Sequence, residues 1–202
     1  MNKRRMAYAF DLDGTITKEE ILPILAAELG LLHEMQLLTR LTLNGSINFE
    51  DSFRLRFQIL KSIPIATVQD IVNSIRINAQ IEEFIKLHKN DSFVITGNLD
   101  VWIKPLIERL GCKFYTSSSK IDQDRGLMLD NILLKSHAVR EIKQNYETVV
   151  AIGESFNDIP MFEEADIGIA FGGVHHPVSN IIKVSDFVCY EEGSLCRLLN
   201  VL

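Results

Sequence analysis

The stretch "FDLDGTIT", Phe10 to Thr17, decides how the rest of the chain is read. Two aspartates, Asp11 and Asp13, sit one residue apart directly behind the apolar run Met6-Ala7-Tyr8-Ala9-Phe10. Such a run reads as a buried strand, and a strand that delivers two carboxylates at its C-terminal end is unusual unless they have chemistry to do. Taken alone, the pair could also be a strand-end turn with Gly14 or a helix cap.

Outward from that stretch, five further apolar runs look like buried strands: Ser92–Thr96, Lys113–Thr116, Thr148–Ile152, Ile167–Ala170 and Asp186–Tyr190. Helical patterns lie between most of them, at Ile81–Lys89, Val101–Leu110 and Ser136–Asn145. Strands alternating with helices predict an α/β fold, a doubly wound parallel sheet covered on both faces. One gap breaks the rhythm. From Thr17 to about Ile77 no convincing strand occurs. Ile21, Leu25, Leu29 and Leu32 make one helical stripe; Phe49, Phe53, Phe57 and Leu60 make a second; a third follows Pro64 through Val68, Ile71, Val72 and Ile75. Roughly 60 residues is far too long for a βα connection. The expected organisation is a catalytic core of residues 1–16 and 78–202 with a helical cap subdomain at 17–77. An insertion at a strand's C-terminal end stands over the ligand-binding edge of an open α/β sheet and suits a lid.

Composition narrows the function classes. The chain has 202 residues, 47% hydrophobic, with a net charge of -6, a pI of about 5.4 and mean hydropathy +0.10. That balance argues against nucleic acid as the main partner. No apolar run is long enough to span a bilayer. The basic start Met1-Asn2-Lys3-Arg4-Arg5 is followed by an apolar stretch that Asp11 interrupts, so a signal peptide is not expected. Three cysteines, Cys112, Cys189 and Cys196, without CxxC spacing read as reduced thiols of a cytoplasmic protein.

In a parallel sheet the C-terminal strand ends share one edge. Asp11 and Asp13 therefore meet "ITGN" at 95–98 and "GESFND" at 153–158. Converging carboxylates need a cation, and an all-oxygen set suits Mg2+. A carboxylate can attack phosphorus to give an aspartyl-phosphate, and a second can act as acid and then base. Thr96 and the amides of Gly97 and Asn98 are suited to donate to a phosphate, and Lys135 supplies balancing positive charge, if it is not simply a solvated helix-start lysine.

With these four elements in order, "DLDGT" at 11–15, "ITGN", Lys135 and "GESFND", the sequence resembles the haloacid dehalogenase superfamily of aspartate-nucleophile phosphatases. Within it, the placement of the helical insert and the stretch "NGSINFEDSFRLR", Asn44 to Arg56, resemble the phosphoserine phosphatase subgroup. The resemblance implies a Rossmann-like core, Asp11 as nucleophile, Asp13 as acid and base, and Lys135 as catalytic partner. It also implies Mg2+ at Asp11, Asp13 and Glu154 with Asp158 in support, and Thr96, Gly97, Lys135 and Asn157 around the phosphate. Glu20 would receive the substrate ammonium and Arg56 its carboxylate, and O-phosphoserine would be hydrolysed in serine biosynthesis; no oligomeric state is implied.

Other readings of the same residues stand beside these. Thr17-Lys18-Glu19-Glu20 is a capping-box pattern that accounts for Glu20 by itself. Arg56 borders the Phe49, Phe53 and Leu60 stripe, whereas Arg54 falls outside it; a salt bridge to Glu50 or Asp51 is the alternative to a bound carboxylate. His175 and His176, before Pro177, read as loop residues rather than a metal pair, and Trp102 as packing. Two positions depart from the subgroup: Glu154 stands where aspartate is usual, and Asn98-Leu99 where glycine and phenylalanine are common. The alternative functions are a phosphatase or phosphotransferase for another small phosphorylated metabolite, or a catalytically weak phosphate-ligand-binding homologue.

Overall fold

The computed structural model describes residues 4–202, so the basic start Met1-Asn2-Lys3 lies outside the described residues. The first strand, β1 (Arg4–Phe10), shows why the core is two-sided. Ala7 and Ala9 pack into one apolar cluster, while Phe10, with Met6 and Tyr8, packs into another. The same alternation recurs in β2 (Ser92–Leu99), where Val94 opposes Phe93 and Ile95, and in β5 (Tyr146–Gly153), where Val150 and Ile152 oppose Val149 and Ala151. Apolar side chains on both faces of a strand require cover on both faces of the sheet.

Between β1 and β2 lie five helices: α1 (Ile21–Ala27), α2 (Leu32–Leu43), α3 (Phe49–Leu60), α4 (Ile65–Ser74) and α5 (Ala79–Leu87). After β2 come α6 (Lys104–Leu110), β3 (Lys113–Asp122), β4 (Gly126–Asn131), α7 (Lys135–Lys143), β5, α8 (Ile159–Glu164), β6 (Ile167–Phe171), α9 (Ser179–Lys183), β7 (Phe187–Cys189) and α10 (Glu192–Val201). The seven strands form one sheet in the order β4-β3-β2-β1-β5-β6-β7. All neighbours pair parallel except β3 and β4. Ala138, Val139 and Ile142 of α7, Met161 and Phe162 of α8 and Ile181 of α9 cover one face; the other is covered by α5, α6, α10 and the helices of the insert. The doubly wound α/β expectation therefore holds.

Three sequence readings are corrected. The stripe Ile21-Leu25-Leu29-Leu32 is not one helix. Helix α1 stops at Ala27, Gly30 takes φ +68°, and Leu32 opens α2, which leaves Leu29 39% exposed. The strand expected at Lys113–Thr116 runs on to Asp122 and folds back as β4, an antiparallel hairpin absent from the sequence reading. Its turn is held by Asp122, whose carboxylate accepts from the Asp124 and Arg125 amides, and by Gly126 at φ +70°. Short helices α8 and α9 and the terminal α10 also went unanticipated.

The chain leaves the sheet and comes back to it through adjacent segments. Thr17 and Ile77 form an antiparallel bridge. On either side the Lys18 amide donates to Arg76 O at 2.9 Å and the Asn78 amide to Ile16 O at 2.8 Å. Among the described residues, no helix is long and apolar enough to cross a membrane.

Candidate active site

β1 is pinned centrally, and the Asp11 amide extends its ladder by donating to Ile152 O at 2.8 Å. Asp11 thus stands buried at the strand end. The chain then makes one wide helical turn, Leu12–Ile16, kinked by Gly14 at φ +71°, a conformation that glycine adopts without a Cβ penalty. Thr17 closes the turn: its amide and its hydroxyl both donate to Leu12 O, at 2.9 and 3.1 Å. The turn brings Asp13 back over the strand end. Its carboxylate accepts from the Ile21 amide at 2.8 Å and from the Asn98 side-chain amide.

This geometry overturns the capping box. Glu20, not Thr17, precedes the first helical residue, its side chain makes no cap bond, and Thr17 Oγ1 donates to Glu19 O and Leu12 O instead. Asp13, eight residues upstream, satisfies the helix-start amide of Ile21. Glu20 is therefore left free to face the cavity.

Lys135, the first residue of α7, is buried and donates from Nζ to Asp11 Oδ1 and, at 2.5 Å, to Asp158 Oδ1. Asp158 is fully buried, and its other oxygen accepts from the Glu154 and Ser155 amides and the Ser155 hydroxyl at 2.8–3.0 Å. Both oxygens are thus engaged in holding Lys135 and the 153–158 loop. Burial works against the charge on Lys135, but Asp11 and Asp158 outweigh it and raise its pKa. Burial, then the neighbouring Asp158, push the Asp11 carboxyl well above its ordinary range against the pull of Lys135. Asp13 is pushed up to about 7, by desolvation first and by the charge of Glu20 second.

A cavity of about 40 Å³ opens on these groups. The core supplies Asp11, Asp13, Thr96, Gly97, Lys135 and Asn157 to its wall; the insert supplies Glu20 and Arg56. Arg56 is only 4% exposed. Its bonds are long and go to neutral oxygens: Ser52 O and Thr39 Oγ1 at 3.4 Å and Thr42 Oγ1 at 3.3 Å. The alternative salt bridge is not present: Glu50 pairs with Arg54, and Asp51 accepts from Asn48. Burial lowers the Arg56 pKa, with Glu20 and Asp13 opposing. Thr39 and Thr42 were missed by the sequence reading; hydroxyls three apart on α2 were the available signal. So was Asn98 as a partner of Asp13, although its place after "TG" was noted.

Glu154, 2% exposed, lies next to this wall with Oε2 lacking any hydrogen-bond partner. Its carboxylate fills the space a side chain on Gly14 would take. Burial and then Glu20 raise its pKa well above the ordinary range. The Phe49 ring likewise overlaps the place of a Cβ on Gly97. His175 is a second correction. It is in a loop, as read, but its Nε2 reaches within 3.3 Å of Glu20 Oε1. Glu20 raises its pKa, yet the two groups are not aligned for a hydrogen bond, and Glu20 Oε1 has no such partner.

A carboxylate pair just beyond the first strand of a doubly wound sheet, with a buried lysine against one member, points to a single class. The family model of haloacid dehalogenase-like hydrolases matches residues 8–163, and the chain belongs to that family. Across the whole of both chains it is 30% identical to a phosphoserine phosphatase of Methanocaldococcus jannaschii. A phosphoserine phosphatase of Archaeoglobus fulgidus is 28% identical over 84% of this chain and 53% of its own length. A substrate-bound phosphoserine phosphatase structure shares the fold at TM-score 0.80 and 23% identity, covering 100% of both chains. A phospho-aspartyl intermediate analogue of phosphoserine phosphatase gives the same score and identity over 98% of this chain and 99% of the other.

Proposed function

We propose that the chain is a magnesium-dependent phosphomonoesterase that hydrolyses O-phosphoserine to serine and phosphate through an aspartyl-phosphate. The observation that carries the substrate is Arg56: a guanidinium in the cavity wall, buried, with no carboxylate bonded to it among the described residues. A buried charge lacking an anion is costly, and a substrate carboxylate would offset it bidentately. Glu20, in the same wall, is the complementary site for an ammonium. The relatives named phosphoserine phosphatase support the same reading.

The residues present fit a magnesium ion. The buried Glu154 Oε2 has no partner, which is unusual for a buried oxygen unless an ion or water meets it. With Asp11 and Asp13 it offers an all-oxygen set. When bound, the ion offsets carboxylate and phosphoryl charge.

The protein's own groups do the rest. Asp11 attacks phosphorus in line while Asp13 gives its proton to the departing serine oxygen. The Asp13 carboxyl, pushed up to about 7, holds a proton close to neutral pH. Asp13 then takes a proton from water, whose oxygen attacks the aspartyl-phosphate, releasing phosphate and restoring Asp11. Lys135, bonded to Asp11, positions the nucleophile and balances the phosphoryl oxygens, with Thr96, Gly97 and Asn157 as further phosphate contacts. Residues 17–77 act as a cap that excludes water from these steps. A cytoplasmic place in serine biosynthesis completes the reading, supported by three free cysteines.

The test is kcat/KM over a panel of phosphate esters with Mg2+. Phosphoserine should lead. A phosphorylated alcohol without amino and carboxylate groups turned over equally well would sink the assignment.

A further inference from the structure

The loop after β6 is built to present His175. The Gly172 amide donates to Cys189 O at 2.7 Å, and His176 sets its ring edge-on to Tyr190 at 5.6 Å. At the loop's far end the Val178 amide donates to Glu154 O at 3.1 Å, which ties this loop to the acidic one. Between these anchors His175 reaches Glu20, and one donor atom each from Glu20, Glu154 and His175 lie within 4.8 Å of one another. Two oxygens of this group are buried and without hydrogen-bond partners, Oε1 of Glu20 and Oε2 of Glu154.

We infer that Glu20, Glu154 and His175 form a second cation site, joined to the carboxylate set at Asp11 and Asp13 through the shared Glu154 carboxylate, that takes Zn2+ or a similar imidazole-binding divalent ion. Three observations support it. The triad joins two carboxylates to an imidazole, a mixed nitrogen–oxygen set that zinc accepts with water as the fourth ligand and that magnesium disfavours. The surroundings are rich in negative charge: Asp11, Asp13 and Glu154 are each pushed up by neighbouring carboxylates, and Lys135 is already engaged by Asp11 and Asp158. Finally, a glutamate at position 154 lies close to Glu20 and His175 in a space that Gly14 leaves open. On the phosphoserine reading, zinc here would compete with the substrate ammonium for Glu20. The site itself does not depend on that reading.

The experiment uses the tag-free full chain saturated with Mg2+, titrated with Zn2+ by calorimetry and with Co2+ by visible absorption. The expected result is one Zn2+ bound per chain in excess Mg2+, with a Co2+ spectrum that reports an imidazole ligand. His175→Ala should weaken Zn2+ by at least about tenfold and erase that spectrum. His176→Ala, whose ring faces Tyr190, should leave both unchanged. His175 is 44% exposed, so its truncation does not threaten the fold. Equal Zn2+ binding by wild type and His175→Ala overturns the inference, as does one-for-one displacement of Zn2+ by Mg2+.

Discussion

Truncating Arg56 separates substrate recognition from structure more cleanly than any other single change. In the folded chain the guanidinium gives up little when removed, because its three bonds, at 3.3–3.4 Å, all go to neutral oxygens. Each is worth about 1 kcal/mol or less at such lengths. Its burial is a cost that those bonds do not fully offset. Arg56→Ala should therefore move urea-unfolding stability by no more than about 2 kcal/mol, in either direction. With phosphoserine the balance differs, since truncating one partner of a buried charge pair costs about 2–5 kcal/mol. That range corresponds to a kcat/KM lower by roughly 30- to 5,000-fold. An aryl phosphate, which lacks the carboxylate, should lose little. Arg54→Ala is the control: its pair with Glu50 is exposed and spans one helical turn, an arrangement worth about 0.3–0.5 kcal/mol. Steady-state kinetics with two substrates and two variants decides. Equal losses on both esters would mean that Arg56 only braces α2 against α3, and the substrate argument would fail.

Asp11→Asn should abolish turnover with the fold intact, whereas Asp13→Asn should lose most activity on phosphoserine but less in the first step on an aryl phosphate, whose leaving group needs no proton; burst kinetics distinguishes the steps. Gly97→Ala drives a methyl into the Phe49 ring, overpacking of a kind that costs about 1–3 kcal/mol, and should lower kcat/KM for every ester alike. Without metal, the folded chain keeps a proton on Asp13 to about pH 7, while the unfolded chain releases it near pH 4. Stability in chelator should consequently fall as pH rises from roughly 4 to 7. Added Mg2+ should raise Tm more at the top of that window than at the bottom. A pH slope that Asp13→Asn leaves unaltered would contradict the assignment.

The sheet was legible because its strands are apolar on both faces and end in chemistry-bearing groups, so Phe10-Asp11 and Ile152-Gly153-Glu154 announced themselves. The β3–β4 hairpin was not: Ser118, Ser119 and Lys120 carry no apolar period, and their pairing is with Met128–Asn131. Local pattern misled at Thr17-Lys18-Glu19-Glu20, where a hydroxyl that reads as a cap turns back to Leu12 instead. It misled again at Leu29, where the period runs through a Gly30 reversal. Arg56 lies on the face of α3 that lines the cavity, as its helical position beside the phenylalanines implies. His175 could not be placed in this way, since its approach to Glu20 depends on β6 lying beside β5 and on the backbone bond from Val178 to Glu154.

The central position of β1 also sets when this protein can finish folding. Its two neighbours are β2, which begins at Ser92, and β5, which ends at Gly153. Lys135 and Asp158, which neutralise and brace Asp11, are likewise late in the chain. At a synthesis rate of about 5–20 residues per second, the first strand waits roughly 7–30 seconds after its own translation for its last sheet partner to be made. Throughout that interval a strand with two apolar faces is open along one edge, the condition under which nascent chains aggregate or call on chaperones. Asp11 is thus among the first residues made and among the last to acquire its setting. A truncated product ending before Gly153 would retain "DLDGT" yet lack the ladder that holds it.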